Sequence, residues 1–174
     1  NGTVFTIDYN LAGGGLQGDF DFQKVTASWR GYWRAASWLQ LATRAESGVI
    51  LGYGDNPEAP IDRRFYLGGT NTVRAWGSRQ LSPRLPTDDS VPVGGATMVL
   101  GNLETRLLFT EKFALVGFYD VGDVQEDELE WAPDVWNHSA GPGLRYDSPV
   151  GLARLDVGFR LNDPGVYTDV AKWG

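Results

Sequence analysis

Hydrophobic and polar residues alternate along most of this chain with a period of two. From Lys24 to Arg34, Val25, Ala27, Trp29, Gly31 and Trp33 fall on one side; Lys24, Thr26, Ser28, Arg30, Tyr32 and Arg34 fall on the other. Ser37 to Ile50 repeats the pattern, with Leu39, Leu41, Thr43, Ala45 and Val49 against Gln40, Arg44 and Glu46. From Thr97 to Phe109, Val99, Leu103, Leu107 and Phe109 oppose Asn102, Glu104 and Arg106. Gly151 to Leu161 sets Leu155, Val157, Phe159 and Leu161 against Arg154, Asp156 and Arg160. Alternation of this kind predicts strands, since successive side chains of a strand leave opposite faces. These runs are also longer than the roughly five or six residues usual in globular proteins. Thr3 to Leu11, Phe113 to Asp123 and Ser139 to Asp147 complete a set of about seven strands.

The connections alternate as well. Ala35-Ala36, Thr110-Glu111-Lys112 and Asp147-Ser148-Pro149-Val150 are short, whereas 13–21, 51–96, 124–138 and the stretch after Asn162 are long. The long connections therefore all fall at one end. Long antiparallel strands with tight turns at one end and extended loops at the other predict an all-β fold, an antiparallel transmembrane β-barrel of the outer-membrane type. Trp29, Trp33, Leu155, Val157 and Phe159 are then expected to face lipid or the interfacial girdles, together with Tyr9, Trp38, Phe109 and Tyr146 near strand ends. A soluble lipocalin-type barrel also alternates, with its apolar face turned inward. Strand length and the long-short order of connections favour the membrane version.

Composition narrows the function. The 174 residues hold 15 Lys+Arg against 22 Asp+Glu, a net charge of -7, so there is no basic field for a phosphate backbone and no nucleic-acid partner is expected. There is no cysteine and one histidine, His138, which removes thiol chemistry and Cys- or His-built metal sites; neither metal nor cofactor is expected. No apolar run is long enough for a membrane helix. The acidic stretch Glu126-Asp127-Glu128-Leu129-Glu130 lacks the ligand spacing of a calcium loop and is expected to be solvated. Gly68-Gly69 is not followed by the Lys-Ser/Thr of a phosphate loop, and Ser139 has no hydrolase elbow around it. No catalytic set is found, and no enzyme is expected.

The connection from Leu51 to Ala96 is too long for a hairpin loop, and its Phe65, Tyr66, Leu67, Val73 and Trp76 would be poorly placed in solvent. It is expected to pack inside the barrel. A desolvated Arg74 would then need carboxylates, and Glu104 and Asp120, inward on the next two strands, are the best candidates. An arginine beside them would keep both ionised, which favours a structural clamp over acid-base chemistry.

The run Arg64-Phe65-Tyr66-Leu67-Gly68-Gly69-Thr70-Asn71-Thr72-Val73-Arg74-Ala75-Trp76-Gly77 resembles the signature loop of the outer-membrane assembly superfamily of BamA and TamA, the bacterial surface antigen superfamily. Gly101-Asn102-Leu103-Glu104-Thr105-Arg106, Gly117-Phe118-Tyr119-Asp120-Val121-Gly122-Asp123-Val124, Ser139 to Gly151 and Leu155-Asp156-Val157-Gly158-Phe159 resemble the family's later strands in the same order. Ala75 stands where the family usually has glycine. The resemblance implies that residues 1–174 are part of the C-terminal β-barrel, roughly strands nine to fifteen of a sixteen-stranded barrel, without the POTRA domains and the last strand. It implies that Arg74, Glu104 and Asp120 form the loop clamp, with Arg64, Phe65, Gly68, Gly69, Val73, Trp76 and Gly77 in the signature loop. It further implies location in the outer membrane of a Gram-negative bacterium, among lipids and lipopolysaccharide. The implied activity is insertion of client β-barrel polypeptides by offering a strand edge, with accessory lipoproteins or other subunits as further partners. The alternatives are a polypeptide-translocating pore of the two-partner secretion type and a structural barrel subunit of a larger envelope complex.

Overall fold

The computed structural model describes residues 1–14, 19–149 and 151–162, with Asp89 described by its backbone only. Val150 of the expected short turn, and the Trp173-Gly174 end, lie outside the described residues. The strands are β1 (Gly2–Ala12), β2 (Phe22–Ala36), β3 (Leu39–Gly52), β4 (Arg84–Leu85), β5 (Asp88–Pro92), β6 (Thr97–Leu108), β7 (Phe113–Gln125), β8 (Asn137–Ser148), β9 (Gly151–Asp156) and β10 (Phe159–Arg160). An eight-stranded antiparallel sheet runs β1-β2-β3-β6-β7-β8, with β9 and β10 both paired to β8; β4 and β5 form a separate hairpin inside the long connection. β1 and the β9–β10 side are the two edges of this sheet, and among the described residues no ladder joins them.

Register converts sequence parity into faces. Val4↔Arg30, Arg30↔Arg44, Arg44↔Asn102, Asn102↔Asp120, Asp120↔Ser139 and Ser139↔Arg160 form one row across the sheet. Neighbouring positions in the pleat face the other way, as in the row Phe5↔Trp29, Trp29↔Ala45, Ala45↔Gly101 and Gly101↔Val121. The long connection packs on the first face, and the apolar side chains of the second remain exposed: Phe5 64%, Ile7 62%, Leu155 67% and Phe159 57%. So broad an exposed apolar face is the outside of a barrel in lipid. A soluble barrel would have turned these side chains inward, and that alternative is set aside. Trp33 folds its ring over Gly31, whose added Cβ would stand 2.1 Å from it, and the ring centroid lies 5.7 Å from that of Trp29.

The core lies between the sheet and the long connection. Phe22, Ile50, Met98, Leu100 and Val124 from the strands meet Ala59, Phe65, Leu67, Val73, Trp76 and Leu81 from the connection. Burying side chains such as Leu67 and Leu81 contributes about 1.5 to 3 kcal/mol each.

Two expectations need correction. The strand expected over Gly151–Leu161 is interrupted at Val157-Gly158. There the Val157 amide donates to the Pro142 carbonyl at 2.9 Å, and Pro142 has no N–H with which to return the bond. Register is kept across the break, from Gly143↔Asp156 to Ala140↔Phe159, so the faces do not exchange. The connection expected only as a long loop over 51–96 also carries the β4–β5 hairpin, being long enough to form a ladder of its own.

Candidate functional site: a loop clamped to the inward face

The loop approaches the sheet through two isolated bridges, Phe65↔Gly95 and Leu67↔Leu81. Beyond them Gly68 and Gly69 have φ of 101° and 98°. Any Cβ at Gly68 would stand 2.3 Å from the Gly77 carbonyl oxygen, so this turn requires glycine. The tip closes on itself: Gly69 N–H donates to the Trp76 carbonyl at 2.8 Å, and Gly68 N–H donates to Thr72 Oγ1 at 2.9 Å. The sheet receives the loop at glycines. Phe65 lies on Gly48, and Leu67 with Val73 lies on Gly122.

Arg74, with its side chain 9% exposed, sits at the centre of the contact. Its Nε and Nη2 donate to the two carboxylate oxygens of Asp120 at 2.7 and 2.8 Å, and its backbone N–H donates to Asp120 Oδ2 at 3.1 Å. Nη1 donates to Glu104 Oε2 at 3.0 Å and lies 3.7 Å from Asp156. The guanidinium stacks 3.6 Å from the ring centroid of Phe118. Such a planar fork suits arginine and not lysine. Arg106 and Arg145 also bind Glu104, at 2.7 and 3.0 Å, and Arg145 donates to Asp156 at 2.6 Å. Arg154 Nε also lies 3.7 Å from Asp156, so four arginines meet three carboxylates, Glu104, Asp120 and Asp156. Mutual pairing is what permits this much charge under a packed loop; removing one member of such a set costs about 3 to 5 kcal/mol.

Strand cations and an amide also hold the loop backbone. Lys24 donates to the Arg63 carbonyl at 2.6 Å and lies over the Phe65 ring; Arg44 donates to the Asn71 carbonyl at 3.1 Å, and Asn102 to the Thr72 carbonyl at 2.7 Å.

Arg74, Glu104 and Asp120 are therefore in direct contact, while Val73 and Trp76 are buried in the core. Arg64 lies apart from them, donating to the Ala59 carbonyl at 3.0 Å within the stem of the loop. Gly77 N–H donates to Gln80 Oε1 at 2.7 Å. Arg106, Arg145 and Asp156 join the clamp beyond the three residues expected from sequence. Inward parity is the signal that points to them, but parity does not tell which inward charges stand at the same height.

At the long-loop end, Asp21 makes a second pin. Its carboxylate accepts N–H bonds from Gly14 at 2.7 Å, Asp55 at 3.2 Å and Asn56 at 3.3 Å, and these hold its pKa below the ordinary aspartate value. Tyr53 O–H donates at 2.6 Å to the Ala12 carbonyl at the end of β1, so Ala12, Gly14 and Asp21 are all tied to the 53–56 loop or the residues beside it. Among the described residues, no group of three or more His, Asp or Glu side chains is arranged to hold a metal ion.

Known proteins resemble this chain in sequence and in fold. The chain is 34% identical over 166 residues to the outer membrane protein assembly factor BamA of Nitratidesulfovibrio vulgaris, covering 93% of this chain and 21% of that protein. It is 32% identical over 133 residues to the assembly factor of the same name from Neorickettsia risticii, covering 71% of this chain and 17% of that one. The chain thus spans about a fifth of the length of these curated relatives. Its fold is similar to the crystal structure of BamA from Haemophilus ducreyi lacking POTRA domains 1-3, with a TM-score of 0.77 at 20% identity, over 93% of this chain and 35% of that one. The model of the Omp85 superfamily domain matches residues 1–171, the span that carries both the inward charges and the loop they clamp, and the chain belongs to that superfamily.

Proposed function

We propose that this chain is the C-terminal part of an outer-membrane β-barrel that inserts and folds other β-barrel proteins in the outer membrane of a Gram-negative bacterium. The observation that carries the reading is the loop over 64–77, which resembles the family's signature loop, docked on the inward face through Arg74, Asp120 and Glu104, in a chain related to proteins named for that assembly. The work involved is backbone hydrogen bonding, with no covalent chemistry. A strand edge presents unpaired N–H and C=O groups to a client strand, which adds to it in register. Lipid makes unpaired backbone groups costly and so drives the client to complete its ladder. The clamp's part is to keep the lumen side of the sheet packed while the barrel wall opens. Partners in this reading are client barrel polypeptides, accessory subunits, and the surrounding lipid and lipopolysaccharide.

The test uses the full-length polypeptide that carries this segment, reconstituted in lipid vesicles with a urea-unfolded client barrel. Heat-resistant, folded client should accumulate faster than in empty vesicles. Ion conductance and polypeptide passage without client folding would overturn the reading in favour of a secretion pore.

A further inference from the structure

The inward charges of the last described strand segments have a use beyond the ion cluster. Arg154, on β9, donates from Nη2 to the Thr70 carbonyl and to Asn71 Oδ1, the latter at 3.2 Å. Arg160, on β10, donates from Nε to the Ala75 carbonyl at 3.0 Å and from Nη2 to Gln80 Oε1 at 3.1 Å, and its guanidinium stacks 4.1 Å from the Trp76 ring centroid. Between them, at the break in the strand, Gly158 faces Ala75 so closely that an added Cβ would stand 2.9 Å from the Ala75 Cβ. Both sides of the loop tip are therefore held by one strand, across the point where that strand's ladder is weakest.

This strand needs such support. β9 and β10 pair with β8 alone among the described residues, and Val157-Gly158 interrupts their ladder opposite Pro142. A ladder interrupted in this way opens more readily than a continuous one. The loop tip meets the strand at the interruption, from the inward face and not in the plane of the sheet.

We propose that Arg154 and Arg160 are positioning residues that bind the loop tip and the β9–β10 strand into one unit, so that the loop sets the placement of the strand at this side of the barrel. Arg74 anchors the loop to β6 and β7 and lies 3.7 Å from Asp156 on β9; Arg154 and Arg160 add direct bonds from β9 and β10 to the loop on both sides of the interruption. For client insertion this rests on the assembly reading above, because a strand held in register is needed where the wall opens. Arginine suits both positions, since it can fork between two acceptors and, at Arg160, also stack on an indole.

The test is hydrogen-deuterium exchange on the full-length protein in lipid nanodiscs, with client insertion measured on the same preparations. In the double variant Arg154→Ala/Arg160→Ala, amides of 69–76 and 151–161 should exchange at least about tenfold faster, given what hydrogen bonds to charged groups contribute. β2, β3 and β6 should be unchanged, and client insertion should slow. Arg160→Lys, keeping charge but not the fork, should fall between wild type and Arg160→Ala. Unchanged exchange, equal acceleration throughout the sheet, or local acceleration with insertion at the wild-type rate would each overturn the proposal. If the double variant does not fold, Arg160→Lys decides alone: wild-type exchange at 75–80 overturns the latch. Should the wild-type protein insert no client, the assembly reading fails, while the exchange data still decide whether these arginines join loop and strand.

Discussion

Ala75 carries a φ of 74°, a backbone region in which a Cβ is strained. It occupies the position after Arg74, where the resemblance places glycine. The strain is held by its surroundings: Arg74 is pinned on one side, and the Ala75 carbonyl accepts from Arg160 on the other. Ala75→Gly should therefore stabilise the folded loop by about 1 kcal/mol, somewhat offset by the greater freedom of glycine in the unfolded chain. Urea unfolding in lipid should show a higher midpoint. For Arg74 the sign is reversed. Arg74→Ala leaves Asp120, which is fully buried, without its main counter-charge and should cost about 3 to 5 kcal/mol. Arg74→Lys should recover only part, because an ammonium cannot bind both Asp120 oxygens and lie flat on Phe118. Heat-modifiability on gels and the urea midpoint would measure both variants.

At the level of elements, loops and strands meet through glycine sockets and short polar pins. Gly48 is one such socket: an added Cβ would stand 2.4 Å from the Phe65 ring, so Gly48→Ala should push the loop from β3 and destabilise it by about 1 to 3 kcal/mol, read as faster exchange across 64–67. Asp21 is the corresponding pin for the outer loops. Its folded pKa is lowered, first by the Gly14 N–H and then by that of Asn56, so its contribution is fully present above the unfolded aspartate value and is lost as pH falls through the folded value. Protection of the Gly14, Asp55 and Asn56 amides, corrected for intrinsic exchange rate, should hold at neutral pH and decline only in acid below the ordinary carboxylate range. In Asp21→Asn, protection should be weaker at neutral pH and this acid dependence should disappear.

For the whole molecule, the governing arrangement is charge within and apolar side chains without. Leu103 lies on the exposed face in the middle of β6, between inward Asn102 and Glu104. Leu103→Arg should cost about 2 to 4 kcal/mol in a bilayer if the position is at mid-depth, and less toward the interfaces. Unfolding of the full-length protein from vesicles, followed by tryptophan fluorescence, would check the value. An inward substitution such as Ser28→Arg should cost much less, since that face is polar.

Parity in the sequence determines which side chains share a face, because the strand backbone turns each successive residue to the opposite side. It thereby identifies the strands, the inward charges and the apolar exterior, and it limits the partners of a desolvated Arg74 to inward carboxylates such as Glu104 and Asp120. Paired glycines beside an aromatic run likewise mark an ordered loop. Stagger between strands, however, is invisible to parity. It decides that Arg145 and Asp156 stand level with Glu104, and that Arg154 and Arg160 reach the two sides of the loop tip. The interruption at Val157-Gly158 has its cause in Pro142 on the neighbouring strand, and the Asp21 pin joins amides on two loops. Both depend on groups distant in sequence and adjacent only after folding, so the local pattern settles the faces of the sheet and the tertiary structure settles which residues on those faces meet.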